Sequence, residues 1–220
     1  MARVAVIDSG VHPDHPHIDA ALLLPGCSVL ADGTVLADAA ETLDKLGHGT
    51  AVTAAIQELA PDAQIFPISV FRDGLRASAR ALATGIRQAI EAQCDVINLS
   101  LGTANPAHAE VFAALAQEAA AQGALIVAAF EAEGQPCWPG CLPQVVGVGL
   151  DWDLPRGKPR LGADGRMVMA SGYPRPIPGV EPRRNLYGVS FAVAQVSGWI
   201  AARGLTERGE VLRLLEACPA

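Results

Sequence analysis

A chain of 220 residues that is 50% hydrophobic, with 22 glycines and 16 prolines, has the length and composition of one globular domain with a sizeable core and many turns. Its net charge of −7 and lack of a dense lysine and arginine block argue against a nucleic-acid-binding or anionic-membrane surface. No apolar run approaches the roughly 18 residues that would span a bilayer.

The N-terminal residues lead directly into a strand-like run, with no basic leader, apolar h-region or small-residue cleavage site. Five cysteines are an odd number for a disulfide framework, which favours thiols in a reducing compartment. We therefore expect a cytoplasmic protein of one domain over residues 1–220, without a signal peptide or a propeptide.

Strands and helices alternate along the chain. Short apolar runs rich in β-branched residues predict buried strands, and apolar residues recurring at intervals of three and four predict helices. This alternation predicts a three-layer α/β architecture, a doubly wound and mostly parallel sheet with helices on both faces. Strands are expected at 3–8, 63–70, 95–100, 124–129, 144–150 and 167–170, and helices at 47–60, 78–92, 107–122, from about 189, and at 207–217.

Two stretches show little periodicity, namely the residues up to about 45 that follow the first strand, and residues 151–184. Both are expected to be mainly turns and irregular structure. Within the strand at 63–70, Pro67 lacks an N–H group, so it should lie near a sheet edge or an irregularity.

Two local patterns raise the question of a metal site or a disulfide. His12, His15 and His17 are separated by prolines that break any regular element able to aim them together, so we interpret them as loop histidines. Cys137 and Cys141 are close enough in sequence for a local disulfide or half of a metal site, and two packing thiols are the simpler interpretation.

Three residues have the types and positions that nucleophilic catalysis requires. Ser190 heads an apolar helix, whose free N–H groups and dipole favour an oxyanion, although serine is also an ordinary N-cap residue. Asp8 ends a buried strand, and His48 begins a helix. Because a serine hydroxyl is a poor nucleophile, His48 would take its proton while Asp8 holds the imidazole in the productive tautomer.

Four segments together resemble the subtilisin-like serine protease family, in which the triad follows the order Asp, His, Ser. The resemblance runs from residue 3 to about residue 203. It implies a subtilisin-like fold, a serine endopeptidase with Asp8, His48 and Ser190 as its triad, and no cofactor, with a structural calcium left undecided. The segments are Val6-Ile7-Asp8-Ser9-Gly10, Gly47-His48-Gly49-Thr50, Val96-Ile97-Asn98-Leu99-Ser100-Leu101-Gly102 and Gly188-Val189-Ser190-Phe191-Ala192.

The resemblance also implies where a substrate binds. An extended peptide would pair, backbone to backbone, with the segment formed by Ser100, Leu101 and Gly102. Ala128 and Ala129 would form part of the wall of the specificity pocket.

The expected oxyanion hole departs from the family. In the family, an asparagine amide helps to hold the oxyanion, and this sequence has no asparagine at that position. A count from Gly123 places Ala132 there, and a count from the Ala128-Ala129 pair places Glu131 there. These two residues, with the N–H of Ser190, are the oxyanion candidates. The loss of one such donor slows turnover by about 10²- to 10³-fold. An ionised glutamate would repel the oxyanion and a protonated one would donate, so activity should rise toward acidic pH if Glu131 or Glu133 lines the site.

A second departure follows the serine, where Val193-Ala194-Gln195 replaces the family's Ser-Pro-His. Because loss of that proline is associated with aminolysis of the acyl-enzyme, peptide ligation is a minor alternative. The leading hypothesis is a cytoplasmic endopeptidase, weakened by its missing amide, that acts on a peptide or leader. The alternative is an impaired pseudoprotease that binds peptides or a partner protein, and a partner could also complete the short domain.

Overall fold

The computed structural model describes residues 1–132 and 134–217. Every strand and helix predicted above is present, with ends shifted by no more than two residues. The strands are β1 (Arg3–Asp8), β2 (Cys27–Val29), β3 (Val35–Leu36), β4 (Gln64–Ser69), β5 (Val96–Leu99), β6 (Leu125–Ala129), β7 (Glu131–Ala132), β8 (Gln135–Pro136), β9 (Val146–Leu150), β10 (Arg160–Leu161) and β11 (Val168–Ala170). The helices are α1 (His48–Leu59), α2 (Ala79–Glu91), α3 (Ala109–Ala121), α4 (Val189–Ala201) and α5 (Arg208–Ala217).

Nine strands form one sheet in the order β10-β11-β9-β6-β5-β1-β4-β2-β3. The pairs from β11 to β2 are parallel, and only the outermost pairs, β10 with β11 and β2 with β3, are antiparallel. Strands β7 and β8 form a separate small hairpin. The mostly parallel, doubly wound sheet that the sequence predicts is thus confirmed.

Helices cover both faces because each central strand is apolar on both sides. In β1, Val4 and Val6 pack into a core with α1, α4 and α5. The alternate residues of the same strand, Ala5 and Ile7, pack into a second core with α2 and α3. Both cores are built mainly from small and β-branched side chains. The sheet and the helices on its two faces are the three layers.

The stretch expected to be irregular after β1 contains the short strands β2 and β3, which the sequence did not reveal because each spans only two or three residues. Pro67 lies inside the sheet, in β4 between β1 and β2. On the β2 side of β4, the pairing of the two strands is interrupted. Leu23 forms an isolated bridge with Ile65, and regular pairing begins only at Cys27, which pairs with Ile68. The missing N–H of Pro67 therefore falls at an irregularity.

The parallel strands place their carboxyl ends along one edge of the sheet. Asp8 ends β1, Ser100 follows β5, and Glu131 lies just beyond β6. Ligands of open α/β sheets bind at this edge. In the described part of the chain, none of the helices has the length and apolar character needed to cross a membrane.

Candidate active site

Asp8 and His48 are in direct hydrogen-bond contact. His48 Nδ1 lies 2.7 Å from Asp8 Oδ1, and the Asp8 side chain is completely buried. The same oxygen accepts hydrogen bonds from the N–H and the hydroxyl of Ser9, at 2.8 and 3.3 Å, whereas Oδ2 has no partner among the described residues. The carboxylate therefore holds Nδ1 in its protonated form and leaves the lone pair on Nε2.

Two glycines of the sequence motifs allow this contact. A Cβ on Gly49 would lie 2.2 Å from the carbonyl oxygen of Gly10, so only glycine lets the start of α1 approach the end of β1. Gly10 itself has φ +99°, and a Cβ there would lie 2.1 Å from the carbonyl oxygen of Thr42. The Ser9 hydroxyl also accepts from the N–H of Gly49, which ties the two segments together.

The environment of His48 raises the pKa of its imidazole above the ordinary value. Burial, the largest single effect, lowers this pKa, but the hydrogen bond and charge of Asp8 together with the charge of Asp44 outweigh it. The protonated imidazole is therefore stabilised in the folded protein. This is the property required of a base that must carry the proton of a serine during a reaction.

Asp44 contributes to the surroundings of His48 and was not among the residues predicted from the sequence. Its Oδ1 accepts from the N–H groups of Leu46 and Gly47, both at 2.9 Å, and its Oδ2 accepts from the N–H and hydroxyl of Thr50. Asp44 thus caps the start of α1 and adds a negative charge near His48. An aspartate just before a predicted helix was the available signal.

Ser190 is the second residue of α4, which begins after Gly188. Its Oγ donates to the carbonyl oxygen of Ser100 at 3.2 Å, next to the end of β5. The ring of the following residue, Phe191, has its centroid 5.6 Å from that of His48. The side chains of Asp8, His48 and Ser190 therefore lie at the same edge of the sheet. Within the described residues, no hydrogen bond joins Ser190 to His48.

The segment expected to pair with a peptide adjoins the serine. Ser100 is buried and supplies the carbonyl that accepts from Ser190, whereas Leu101 and Gly102 are partly exposed. Thr103 forms an antiparallel bridge with Trp138, so the loop that contains Cys137 and Cys141 supports this segment from one side. Both cysteines are free thiols.

Ala128 and Ala129 lie at the carboxyl end of β6, which pairs with β5 and β9. Both side chains are buried, Ala128 in the core with α2 and α3, and Ala129 in the core with α1, α4 and α5. A substrate at this edge would meet the backbone of these residues rather than their methyl groups.

Glu131 and Ala132 form β7, directly after the residue that follows β6. Glu131 is exposed, and no hydrogen bond or ion pair joins it to Ser190 or His48 among the described residues. Glu133 lies outside the described residues. The third oxyanion candidate, the N–H of Ser190, belongs to the first turn of α4, where helix geometry leaves N–H groups without an intrahelical partner.

Gln195, which the sequence reasoning noted only as a departure from the family, connects three segments around the site. Its amide group donates to the carbonyls of Ser171 and Tyr173 at 2.8 and 2.9 Å, and its Oε1 accepts from the N–H of Gly157 at 2.7 Å. The side chain is buried. It therefore anchors the loops that lead toward Ser190.

His12, His15 and His17 lie in the loop after β1, where the ring of His15 packs edge-on against that of His17. Among residues 1–132 and 134–217, no three histidine, cysteine or acidic side chains are grouped as ligands of a metal ion.

Comparison with known proteins gives a consistent family assignment. A family model described as "Subtilase family" matches residues 2–136. The chain is 28% identical over 158 residues to the minor extracellular protease Epr of Bacillus subtilis strain 168, a match that covers 66% of this chain and 23% of Epr. It is 29% identical over 163 residues to the intracellular serine protease of Paenibacillus polymyxa, covering 67% of this chain and 48% of that protein. The chain thus spans less than half of these curated relatives.

Solved structures with the same fold match nearly the whole chain. The prenylagaramide maturation protease PagA is 26% identical, with a TM-score of 0.72, and the match covers 100% of this chain and 84% of that one. The nisin leader peptidase NisP from Lactococcus lactis is 18% identical, with a TM-score of 0.72 and coverage of 100% and 83%.

Proposed function

The chain belongs to the subtilase family of serine proteases, and we propose that it cleaves peptide bonds through an acyl-enzyme, with Asp8, His48 and Ser190 as its catalytic triad. The observation that carries this proposal is the 2.7 Å hydrogen bond between His48 and the buried Asp8 at the sheet edge that also holds Ser190. A buried carboxylate on one ring nitrogen and a free lone pair on the other are what a general base requires. A histidine with a purely structural role requires neither.

The proposed reaction begins when Ser190 Oγ turns from the Ser100 carbonyl toward Nε2 of His48. His48 takes the hydroxyl proton as Oγ forms a bond to the carbonyl carbon of the peptide. The imidazolium, stabilised by Asp8, then gives this proton to the leaving amine as the C–N bond breaks. Water attacks the resulting ester with the same help from His48, and Ser190 is regenerated.

The oxyanion of each tetrahedral intermediate would be held by the N–H of Ser190 and by the dipole of α4. The position that an asparagine occupies in the family falls on Ala132 or Glu131, and neither a methyl group nor a carboxylate can donate a hydrogen bond to the oxyanion. We therefore propose a peptidase whose turnover is about 10²- to 10³-fold below that of a site with two donors.

The proposed substrate is an extended peptide or a leader segment, paired with Ser100–Gly102 in the cytoplasm. The structural relatives PagA and NisP are, by name, a maturation protease and a leader peptidase, which supports a substrate of this class. We further propose that residues 1–220 act as one domain, with a partner protein as a further contributor to the site.

A binding module that does not cleave is the second candidate. It is favoured by the Ser190 hydroxyl, which donates to Ser100 rather than to His48, and by the missing amide donor. Such a pseudoprotease would keep the peptide-pairing segment and bind peptides or a partner protein.

A fluorophosphonate probe separates the two candidates, because it reacts only with an activated serine. We expect labelling of the wild-type protein at pH 7–8, none of Ser190→Ala, and strongly slowed labelling of His48→Ala. Absence of labelling in the wild-type protein from pH 5 to 9 would favour the binding module.

A further inference from the structure

A cavity of about 280 Å³ lies between the two segments that carry His48 and Ser190. On one side, Gly47 directly precedes His48, and Thr50 belongs to the first turn of α1. On the other side, Asn185 and Leu186 lie in the segment that leads into α4. The cavity therefore lies between the start of α1 and the segment that leads into α4, and neither His48 nor Ser190 lines it.

The walls of this cavity are rich in basic side chains, although the chain as a whole carries a net charge of −7. They combine two permanent cations with the loop histidines that the sequence analysis singled out. These residues are Lys45, Arg175, His12, His15 and His17.

One carboxylate, that of Asp44, lines the cavity together with the two cations. Both oxygens of Asp44 accept hydrogen bonds at the start of α1, from the N–H groups of Leu46, Gly47 and Thr50 and from the Thr50 hydroxyl. Glu58 is paired with Arg156. Within residues 1–132 and 134–217, neither Lys45 nor Arg175 forms an ion pair, and Arg175 Nη1 donates only to the carbonyl of His17, at 3.3 Å.

The titration of His17 agrees with an electropositive cavity. Its pKa is lowered, first by burial and then by the positive charges of Arg175 and His15, while the opposing effect of Glu58 is smaller. A negative group placed in this cavity would therefore meet the positive charges of Lys45 and Arg175, opposed by the single negative charge of Asp44.

We propose that this cavity binds an aspartate or glutamate side chain of the peptide substrate, on the C-terminal side of the scissile bond. The proposal rests on the peptidase function proposed above and adds a substrate preference to it. Ser100–Gly102 would hold the N-terminal side of the substrate and does not line the cavity. The leaving-group side of the peptide would then run past Ser190 toward Leu186.

The size and chemistry of the cavity agree with this occupant. A volume of about 280 Å³ holds one or two side chains but is at the lower limit for a whole small-molecule ligand. Arginine and lysine bind carboxylates through charge-assisted hydrogen bonds, and the guanidinium of Arg175 can use two of them at once.

The test uses a pool of ten-residue peptides with amidated C-termini, incubated with the wild-type protein and analysed by mass spectrometry. From the best-cleaved sequence, paired peptides are made with Glu or Gln at each of the three positions after the cleaved bond. We expect kcat/KM to favour Glu over Gln by about tenfold at one of these positions. In Arg175→Gln and Lys45→Gln, this ratio should fall toward one.

Two further variants control the test. Arg175→Lys keeps the positive charge and should keep most of the preference, whereas Arg87→Gln, which removes an exposed arginine from α2, should leave the ratio unchanged. Cleavage of Glu and Gln peptides at equal rates would overturn the proposal while leaving the peptidase function intact.

Failure of the proposed function gives a different pattern. In that case the wild-type protein neither cleaves the pool nor reacts with the fluorophosphonate probe. Calorimetric binding of the Glu and Gln versions of one pooled sequence to Ser190→Ala then tests the cavity alone. Tighter binding of the Glu peptide, abolished by Arg175→Gln, supports the acidic site, and equal binding refutes it.

Discussion

The imidazole of His48 is held 2.7 Å from the carboxylate of Asp8, although the two residues are 40 positions apart in the chain. The contact depends on the close approach of α1 to the end of β1, which Gly49 permits. It fixes which ring nitrogen carries the proton, and therefore which nitrogen is free to take the proton of Ser190.

Replacement of Asp8 by Asn should reduce kcat/KM by about 10⁴-fold, because the amide can hold the imidazole in the wrong tautomer. The fold should survive, since the substituted group has nearly the same shape. Peptide cleavage and fluorophosphonate labelling measure the loss, with Asp62→Asn, an exposed carboxylate on the surface, as the control. A loss of less than tenfold would show that Asp8 does not orient His48 in catalysis.

The activity should rise with pH as His48 loses its proton. Because the folded protein raises the pKa of His48 above its ordinary value of 6.5, the midpoint of the kcat/KM profile should lie above pH 6.5. The imidazole signal of His48 in Ser190→Ala, followed by NMR, should give the same midpoint. An activity that instead rises toward pH 5 would favour a protonated glutamate as oxyanion donor.

The raised pKa of His48 also makes the stability of the protein depend on pH. A group whose pKa is raised on folding adds stability that is complete below its unfolded value and is lost as pH rises through the folded value. Relative to a His48→Gln variant, the wild-type protein should therefore lose free energy of unfolding from about pH 6 upward. Denaturant titrations at a series of pH values measure this difference, and a difference that grows with pH would contradict it.

Replacement of Gly49 by Ala should destabilise the protein by roughly 3 kcal/mol or more, since the added Cβ would lie 2.2 Å from a backbone oxygen that cannot easily move. In a chain of this length, that corresponds to a fall in Tm of about 6 to 12 °C. Activity should fall as α1 moves away from Asp8. Gly74→Ala, where a Cβ would meet nothing within 4 Å, is the matched control and should leave Tm nearly unchanged.

Replacement of Gln195 by Ala should cost roughly 3 kcal/mol, because the buried carbonyl of Ser171 and the partly buried carbonyl of Tyr173 and N–H of Gly157 lose their partner together. The loops that it ties, at Gly157, Ser171 and Tyr173, should then exchange their amide hydrogens faster. Gln117→Ala, at an exposed position of α3, controls for the loss of an amide side chain. Equal stability of the two variants would show that the three hydrogen bonds are not stabilising.

An asparagine introduced near β7 tests the oxyanion hole. We expect Ala132→Asn, at the position given by the count from Gly123, to raise kcat by about 10²-fold, with Glu131→Asn as the paired variant. A gain in the second variant alone would assign the donor position to residue 131. No gain in either variant would mean that the amide is not the group that limits turnover.

Much of the fold could be predicted from the sequence because most of its strands and helices carry a local pattern of apolar residues. The buried strands β1 and β5 are short apolar runs, and Ser78, whose side chain caps α2, marks a helix start in the expected way. The short strands β2 and β3 could not be predicted, because two or three residues show no periodicity and form a hairpin only against β4.

The candidate site, too, could be predicted from the sequence only in part. The sequence by itself determined the residue types and their order along the chain, since Asp8, His48 and Ser190 lie in short motifs whose meaning is local. It also established that no asparagine lies at positions 130–134, directly after β6. These features need no knowledge of distant contacts.

Only the tertiary structure decided which distant groups meet. It brought His48 to Asp8, directed the Ser190 hydroxyl to the carbonyl of Ser100, and placed Lys45 and Arg175 on the walls of one cavity. The physical reason is that such contacts depend on the packing of helices against the sheet and on backbone approaches such as that of Gly49 to Gly10, which arise between segments far apart in the sequence.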